Sequence, residues 1–217
     1  MKKILLLAAS LILATAPLAR AKCMKGDCKN GTGTYKFQGG ESYEGTFKNG
    51  LPEGKGVLTY PDGGKYTGDF VADEFHGQGT YEFKNGEKYV GSFVHNKREG
   101  KGVLTYPDGK KYEGEFKNDQ KEGHGKMLFA DGTVYEGDFV GGAAHGEGTL
   151  VSAKGEKYTG HFENGLPNGQ GKMVYADKSV YEGKWRNNVP NGKGTFTFPN
   201  GKKITGFFRD GNFISEK

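Results

Sequence analysis

Residues 112–134 read YEGEFKNDQKEGHGKMLFADGTV, and this 23-residue unit recurs without insertion along most of the chain. Each unit begins with an aromatic or apolar residue, has Gly two positions later, and has Phe or Trp two positions after that. A fixed period of this length is typical of a repeat array. The first positions of the eight units are Tyr43, Tyr66, Tyr89, Tyr112, Tyr135, Tyr158, Tyr181 and Ile204.

The pattern inside one unit predicts two β-strands. Alternation places Tyr43, Gly45 and Phe47 on one face of a strand and the residues between them on the other. Asp-Gly and Asn-Gly turns, as at 62–63 and 200–201, favour hairpins because both residues tolerate positive φ. Stacked edge to edge, such units predict an all-β, single-layer antiparallel ribbon of about 16 strands at about 4.8 Å spacing.

The combination of Tyr-x-Gly-x-Phe, Gly-x-Gly and a closing Asp-Gly closely resembles the MORN (membrane occupation and recognition nexus) repeat. The resemblance extends from about residue 31 to residue 211. Three positions depart from it: Ile204 replaces Tyr, Ser152 interrupts an aromatic row, and Asp177-Lys178 lacks the turn Gly. The resemblance implies an elongated, twisted ribbon of hairpins and a binding or scaffolding role toward protein or lipid partners.

The composition agrees with a thin sheet rather than with disorder or a helical bundle. Gly supplies 39 of the 217 residues and hydrophobic residues only 34%, which is typical of disordered chains. The 13% of aromatic residues argues against disorder. The Gly content argues against long helices, because each helical Gly costs about 1 kcal/mol relative to Ala.

The first 21 residues have the features of a secretory signal peptide. Lys2 and Lys3 precede an apolar run over 4–19, and Ala19-Arg20-Ala21 offers a cleavage site. We therefore expect a signal helix over 1–21, an N-terminal cap with a partial repeat over 22–42, and the repeat array over 43–217. The expected location is the periplasm or exterior of a bacterium. A lipoprotein is not expected, since Arg20, Ala21 and Lys22 rather than small residues precede Cys23.

The cysteines and the net charge indicate which bonds and ligands to expect. Cys23 and Cys28 are an even pair in an exported chain, which favours a disulfide over a four-ligand zinc site. Removing Lys2, Lys3 and Arg20 lowers the formal charge from +5 to +2. This near balance does not favour nucleic-acid binding.

The sequence contains no motif that predicts catalysis. The Gly-x-Gly pairs lack the context of a phosphate-binding loop, and there is no Gly-x-Ser-x-Gly motif. The carboxylates at 113, 115, 136 and 138 are typical of an exposed sheet face. The five histidines are expected to be solvated loop residues rather than a metal cluster. We therefore predict a protein that is not an enzyme and has no cofactor or metal.

Two surfaces are candidates for binding. The first is an aromatic strip, which is either an interaction surface or only the thin core of the ribbon. Its candidate residues are Tyr60, Tyr81, Phe83, Tyr106, Phe129, Tyr175 and Phe198. The second is the C-terminal edge, which could pair with a second copy to form a homodimer or could fold back as a cap. Its candidate residues are Ile204, Phe207, Phe208 and Phe213.

These features predict a scaffold of the cell envelope whose partner is a protein. The first alternative is peripheral binding to anionic phospholipid, because residues 181–203 contain five bases and one acid. The candidate contacts for that alternative are Lys184, Arg186, Lys202 and Lys203. The second alternative is glycan binding by stacked rings, which the single Trp185 disfavours.

Overall fold

The structure, a computed structural model, describes residues 21–216, and all its strands belong to one open antiparallel sheet. Each strand pairs with the next along the chain, so the predicted all-β, single-layer architecture is confirmed. The predicted signal helix lies almost wholly outside the described residues. None of the described residues belongs to a helix with the length and hydropathy needed to cross a membrane.

The described part of the chain forms 18 strands rather than about 16, because a short strand is added at each end. From β3 to β17, strands of seven and nine residues alternate, and the sheet is about 80 Å long at about 4.8 Å per strand. The strands are β1 Lys22–Gly26, β2 Thr32–Lys36, β3 Ser42–Lys48, β4 Leu51–Thr59, β5 Lys65–Val71, β6 Glu74–Glu82, β7 Lys88–Val94, β8 Lys97–Thr105, β9 Lys111–Lys117, β10 Gln120–Leu128, β11 Val134–Val140, β12 Ala143–Val151, β13 Lys157–Glu163, β14 Leu166–Val174, β15 Val180–Arg186, β16 Val189–Thr197, β17 Lys203–Arg209 and β18 Asn212–Ser215.

Two kinds of turn alternate along the sheet. One is a two-residue hairpin turn in which both residues have positive φ, as in Asn49 (52°) and Gly50 (79°). This is the combination of a type I′ turn, whose twist matches that of the flanking strands. Ala72 and His95 occupy the first position elsewhere with φ near 50°, where Asn or Gly would fit more easily.

The other turn is a five-residue loop at the opposite end of the strands. In the loop over 60–64, the Tyr60 N–H donates to the Gly64 carbonyl (2.8 Å) and the Gly63 N–H donates to the Tyr60 carbonyl (3.0 Å). Gly63 has a φ of 95°. Lys178 takes the same place with a φ of 71°, so the missing Gly leaves the loop path unchanged. That conformation costs a non-Gly residue about 1 kcal/mol.

A continuous row of glycines crosses the middle of the sheet, one per strand from β2 to β17. We call it the glycine ladder. Its members face one another across every strand pair, as Gly114 faces Gly125 and Gly125 faces Gly137. The Tyr112 ring covers this stretch of bare backbone: a Cβ on Gly125 would lie 2.5 Å from Tyr112 Oη. The ladder consists of Gly33, Gly45, Gly56, Gly68, Gly79, Gly91, Gly102, Gly114, Gly125, Gly137, Gly148, Gly160, Gly171, Gly183, Gly194 and Gly206.

The core is a chain of aromatic rings on one side of the sheet, the aromatic face. Tyr112 is fully buried, and its hydroxyl donates to the Glu115 carbonyl at 2.9 Å. Its ring meets Phe116 and Phe139 edge to face, with centroids 5.1 and 4.9 Å apart. The same contacts recur in the seven units that begin with Tyr, so the rings alternate Tyr and Phe along the array. Trp185 replaces one Phe and donates its Nε1–H to the Gly171 carbonyl.

Short elements cover both ends of the array. The predicted Cys23–Cys28 disulfide is present, with Cα atoms 5.8 Å apart, beside the β1–β2 hairpin. At the other end, β18 folds back on β17 and places the Phe213 ring 5.4 Å from that of Phe208. The last strand of the described chain is therefore β18 and not the strand that contains Ile204.

Candidate binding site on the aromatic face

The predicted aromatic strip lies along one long border of the aromatic face. Six of its seven members are the first residues of the five-residue loops, whereas Tyr81 lies within β6. Tyr60, Tyr81, Phe83, Tyr106 and Tyr175 are half-buried against the core. Phe129 and Phe198 are each 37% exposed. The strip thus contributes to the core and also leaves ring surface open to solvent.

One part of the strip forms an open groove of about 370 Å³, the aromatic groove. Its rings include Tyr60, Tyr81 and Phe83. The centroid of the Tyr81 ring is 6.1 Å from that of Tyr60 and 4.3 Å from that of Phe83. Phe93 and Arg98 also line it. Apolar surface bordered by a few polar groups is the usual make-up of a recognition site. The other members of the strip, Tyr106, Phe129, Tyr175 and Phe198, do not line this groove.

Two cations beside the aromatic groove were missed by the sequence analysis. Both are the second residue of a nine-residue strand, Arg98 in β8 and Lys121 in β10. The corresponding residues from β4 to β18 are otherwise Pro, Phe or Ala. We call this row the second-residue row. Aligning the units at this position would have identified both cations from sequence: the row is Pro52, Phe75, Arg98, Lys121, Ala144, Pro167, Pro190 and Phe213.

Both cations lie over aromatic rings. The Arg98 guanidinium carbon is 5.3 Å from the centroid of Phe116, and Lys121 Nζ is 5.1 Å from that of Tyr112. Arg98 also donates from Nε to Asp119 Oδ1 (3.2 Å) and from Nη2 to the Asp119 carbonyl (2.7 Å). These contacts hold the guanidinium in one orientation at the border of the groove.

The opposite side of the sheet, the polar face, carries two shallower grooves that follow the glycine ladder. Their volumes are about 560 and 700 Å³, and backbone of the ladder contributes to both. The carboxylates at 113, 115, 136 and 138 lie on this face: Lys126 Nζ is 3.4 Å from Glu136 Oε2, and His124 Nδ1 is 3.3 Å from Asp138 Oδ1. This is the solvated, charge-paired sheet surface that the sequence predicted.

The expectation of solvated loop histidines is wrong for most of them. Four of the five lie in strands, because they occupy strand positions of the repeat, and only His95 lies in a turn. They also approach in pairs, with ring centroids 5.6 Å apart for His76 and His95 and 6.2 Å apart for His145 and His161. Within residues 21–216, no group of three or more His, Cys, Asp or Glu side chains could hold a metal ion.

The four bases considered for lipid contact lie at different places. Lys184 and Arg186 are near the end of β15, whereas Lys202 and Lys203 stand at the start of β17. Because β15 and β17 run in the same direction, members of the two pairs are offset by four to seven residues of the repeat, or about 13 to 23 Å along the strand. The structure does not gather them into one cluster.

The buried tyrosines predict a loss of stability at high pH. Burial raises the pKa of all seven, to about 12 for Tyr43, Tyr89, Tyr135 and Tyr181. An unfolded Tyr has a pKa near 10, so the unfolded chain loses these protons first. The stabilisation is therefore complete below pH 10 and is lost as the pH rises toward 12.

Phenolate absorbance followed together with unfolding free energy from about pH 9 to pH 12 measures this effect. We expect phenolate to form late and in step with unfolding. Tyr112→Phe should reduce the pH dependence of the unfolding free energy by about the contribution of one tyrosine proton. Ionisation of all twelve tyrosines near pH 10 in a chain that stays folded would contradict the expectation.

Comparison with known proteins gives a family match. The MORN repeat profile matches seven consecutive units, residues 43–65, 66–88, 89–111, 112–134, 135–157, 158–180 and 181–203. These are the first seven of the eight units that the sequence period defined. No curated protein matches the chain.

Several solved structures are similar in part. The TCP domain of Drosophila melanogaster SAS-4, solved with a proline-rich motif of Ana2, is 13% identical with a TM-score of 0.41, over 92% of this chain and 99% of that chain. A mutant TCP10 domain of Danio rerio CPAP is 18% identical with a TM-score of 0.45, over 89% and 96%. Virginiamycin B lyase from Staphylococcus aureus is 9% identical with a TM-score of 0.17, over 86% and 73%. These scores are too low to support any conclusion about function.

The seven matched repeats cover most of the chain and coincide with the alternating seven- and nine-residue strands of the sheet. The chain therefore belongs to the MORN repeat family and is a repeat-type binding scaffold.

Proposed function

We propose that this protein is a non-enzymatic scaffold of the bacterial cell envelope that binds a protein partner through its aromatic face. Residues 1–21 are proposed to direct export to the periplasm or beyond and to be removed, without lipid attachment at Cys23. Residues 22–42 then form the N-terminal cap, and 43–217 form the array. A disulfide between Cys23 and Cys28 is consistent with an oxidising compartment.

The observation that carries the proposal is the aromatic groove with its half-buried rings. Tyr60, Tyr81 and Phe83 offer ring surface that the core does not fully use, and Arg98 stands at their border. Aromatic residues and Arg are the side chains that contribute most to protein–protein binding energy. An open groove on a rigid sheet can bind an extended segment without rearranging.

Site-specific photo-crosslinking tests the proposal. A benzophenone amino acid is introduced at Phe83 on the aromatic face, and at Val90 on the polar face as a matched control. In envelope extracts we expect a discrete crosslinked protein from position 83 and none from position 90. The affinity of that purified protein should then fall about tenfold or more with Tyr81→Ser. Crosslinks only from position 90, or an affinity unchanged by Tyr81→Ser, would refute the proposal.

Peripheral binding to anionic phospholipid is the second candidate, favoured by the excess of bases over 181–203. Co-flotation with phosphatidylglycerol vesicles at low salt, lost on replacing Lys184 and Arg186 by Gln, would support it. Absence of co-flotation would eliminate it. Glycan stacking on Trp185 has less support, because this ring is only 4% exposed and lies inside the aromatic chain.

A further inference from the structure

Arg98 and Lys121 distinguish the middle of the array from its ends. In the second-residue row, the other members are Pro, Phe and Ala, which suit a position packed on rings. Two cations at adjacent positions of this row are two strands apart and so separated by about 10 Å. A charge placed on an apolar surface costs free energy unless it is paired. The cation that has no acidic partner is therefore the one that can still bind an anion.

The local charges leave one cation without a partner. Arg98 has Asp119, and Lys110 Nζ lies 2.8 Å from Asp108 Oδ2. Lys121 is half-buried, and in the part of the chain that the structure describes it forms no ion pair. Its nearest polar contact is the Met127 sulfur at 3.9 Å, and its Nζ lies 5.7 Å from the Tyr106 ring centroid.

The surroundings of Lys121 disfavour its positive charge. Burial, and then the charges of Arg98 and Lys110, lower the pKa of its ammonium group, and Glu87 opposes this only in part. An added anion at this place would relieve the repulsion and use the three N–H donors of Lys121. One uncompensated positive charge matches a single carboxylate better than a dianionic phosphate.

We propose that Lys121 binds the carboxylate of an Asp or Glu in an extended segment of the protein partner, with Arg98 adding to the positive charge on the side of the aromatic groove. This inference rests on the proposed function, because an apolar side chain of the same segment fills the aromatic groove. Arg98 lines the aromatic groove and lies about 10 Å from Lys121 along the second-residue row. Three residues of extended chain span this distance. The segment runs across the strands of the aromatic face, with its acidic residue about three positions from its apolar anchor.

A display library of random linear peptides, selected against the purified chain, tests this inference. The wild-type chain should select Asp or Glu at a fixed distance of about three residues from an aromatic or aliphatic residue. Lys121→Met should lose that preference and bind the selected peptides about tenfold more weakly, as expected for a lost charged hydrogen bond. Lys101→Met, on the polar face, is the matched control and should behave as wild type.

The outcomes separate this inference from the proposed function. Peptides that bind equally well after Glu→Gln replacement, but are lost with Phe83→Ser, would overturn the carboxylate site and leave the aromatic groove as the binding surface. A library without any binder would count against both. Binding that occurs only on phosphatidylglycerol vesicles and depends on Lys121 would overturn the peptide as ligand. Arg98→Gln should weaken binding in the same direction, and thermal unfolding checks that each variant is folded.

Discussion

Gly125→Ala is expected to lower the free energy of unfolding by about 3 kcal/mol or more, although Gly125 does not have a positive φ. A Cβ there would lie 2.5 Å from Tyr112 Oη and 2.6 Å from Tyr112 Cε2. The Tyr112 ring cannot retreat, because Phe116 and Phe139 hold it edge to face on both sides. Forcing atoms into a packed site typically costs about 1–3 kcal/mol, and more where the neighbours cannot move.

Gly109→Ala is the matched control, since it has the opposite combination of properties. Gly109 has a φ of 87°, but an added Cβ would meet no atom within 4 Å. We expect it to cost about 1 kcal/mol, from backbone strain alone. Urea unfolding of both variants measures the difference. If Gly125→Ala costs no more than Gly109→Ala, the glycine ladder is not required to leave space for the rings.

Tyr112→Ala is expected to cost about 4 kcal/mol, the usual range for deleting a buried aromatic ring. The change removes two edge-to-face contacts, the cover of the glycine ladder and the hydrogen bond to the Glu115 carbonyl. Tyr112→Phe keeps the ring and loses only the hydrogen bond, so we expect about 1 kcal/mol. The two variants together separate the packing of the ring from its polar contact.

Because Tyr112 lies in the middle of the array, its replacement by Ala should also change hydrogen exchange in the strands around it. In a repeat array each unit is stabilised mainly by its neighbours, so a defect in the middle weakens the coupling between the two halves. Hydrogen exchange on Tyr112→Ala should show faster exchange over β9 to β11 than over β4 to β6. Uniform acceleration along the whole sheet would contradict this expectation and indicate all-or-none unfolding.

Much of this fold follows from the 23-residue period because every unit repeats the same two strands and the same two turns. The period placed Tyr112, Gly114 and Phe116 on one face, and the structure has them there. The order of strands also follows, because short hairpins can connect only antiparallel neighbours. The count of about 16 strands left out β1 and β18, since the end segments do not carry the full repeat pattern, although a fold-back of the last residues was one alternative for the C-terminal edge.

The candidate site was only partly accessible from sequence. The pattern identified Tyr60, Tyr81 and Phe83 as ring positions, but not which rings leave surface open, because exposure depends on neighbouring units. Arg98 and Lys121 do not belong to the repeat pattern, because they occupy a position whose residue type varies among the units. In a repeat array the constant positions build the sheet, and the variable ones distinguish one part of its surface from another.

The pairing of each strand with its neighbour alone has a consequence for how such a molecule changes in size. Duplication of one 23-residue unit would insert two strands and lengthen the molecule by about 10 Å. No existing pair would need a new register, because each register is set within its own hairpin. A protein of this kind can therefore gain or lose reach by whole modules while an established docking position keeps its local surroundings.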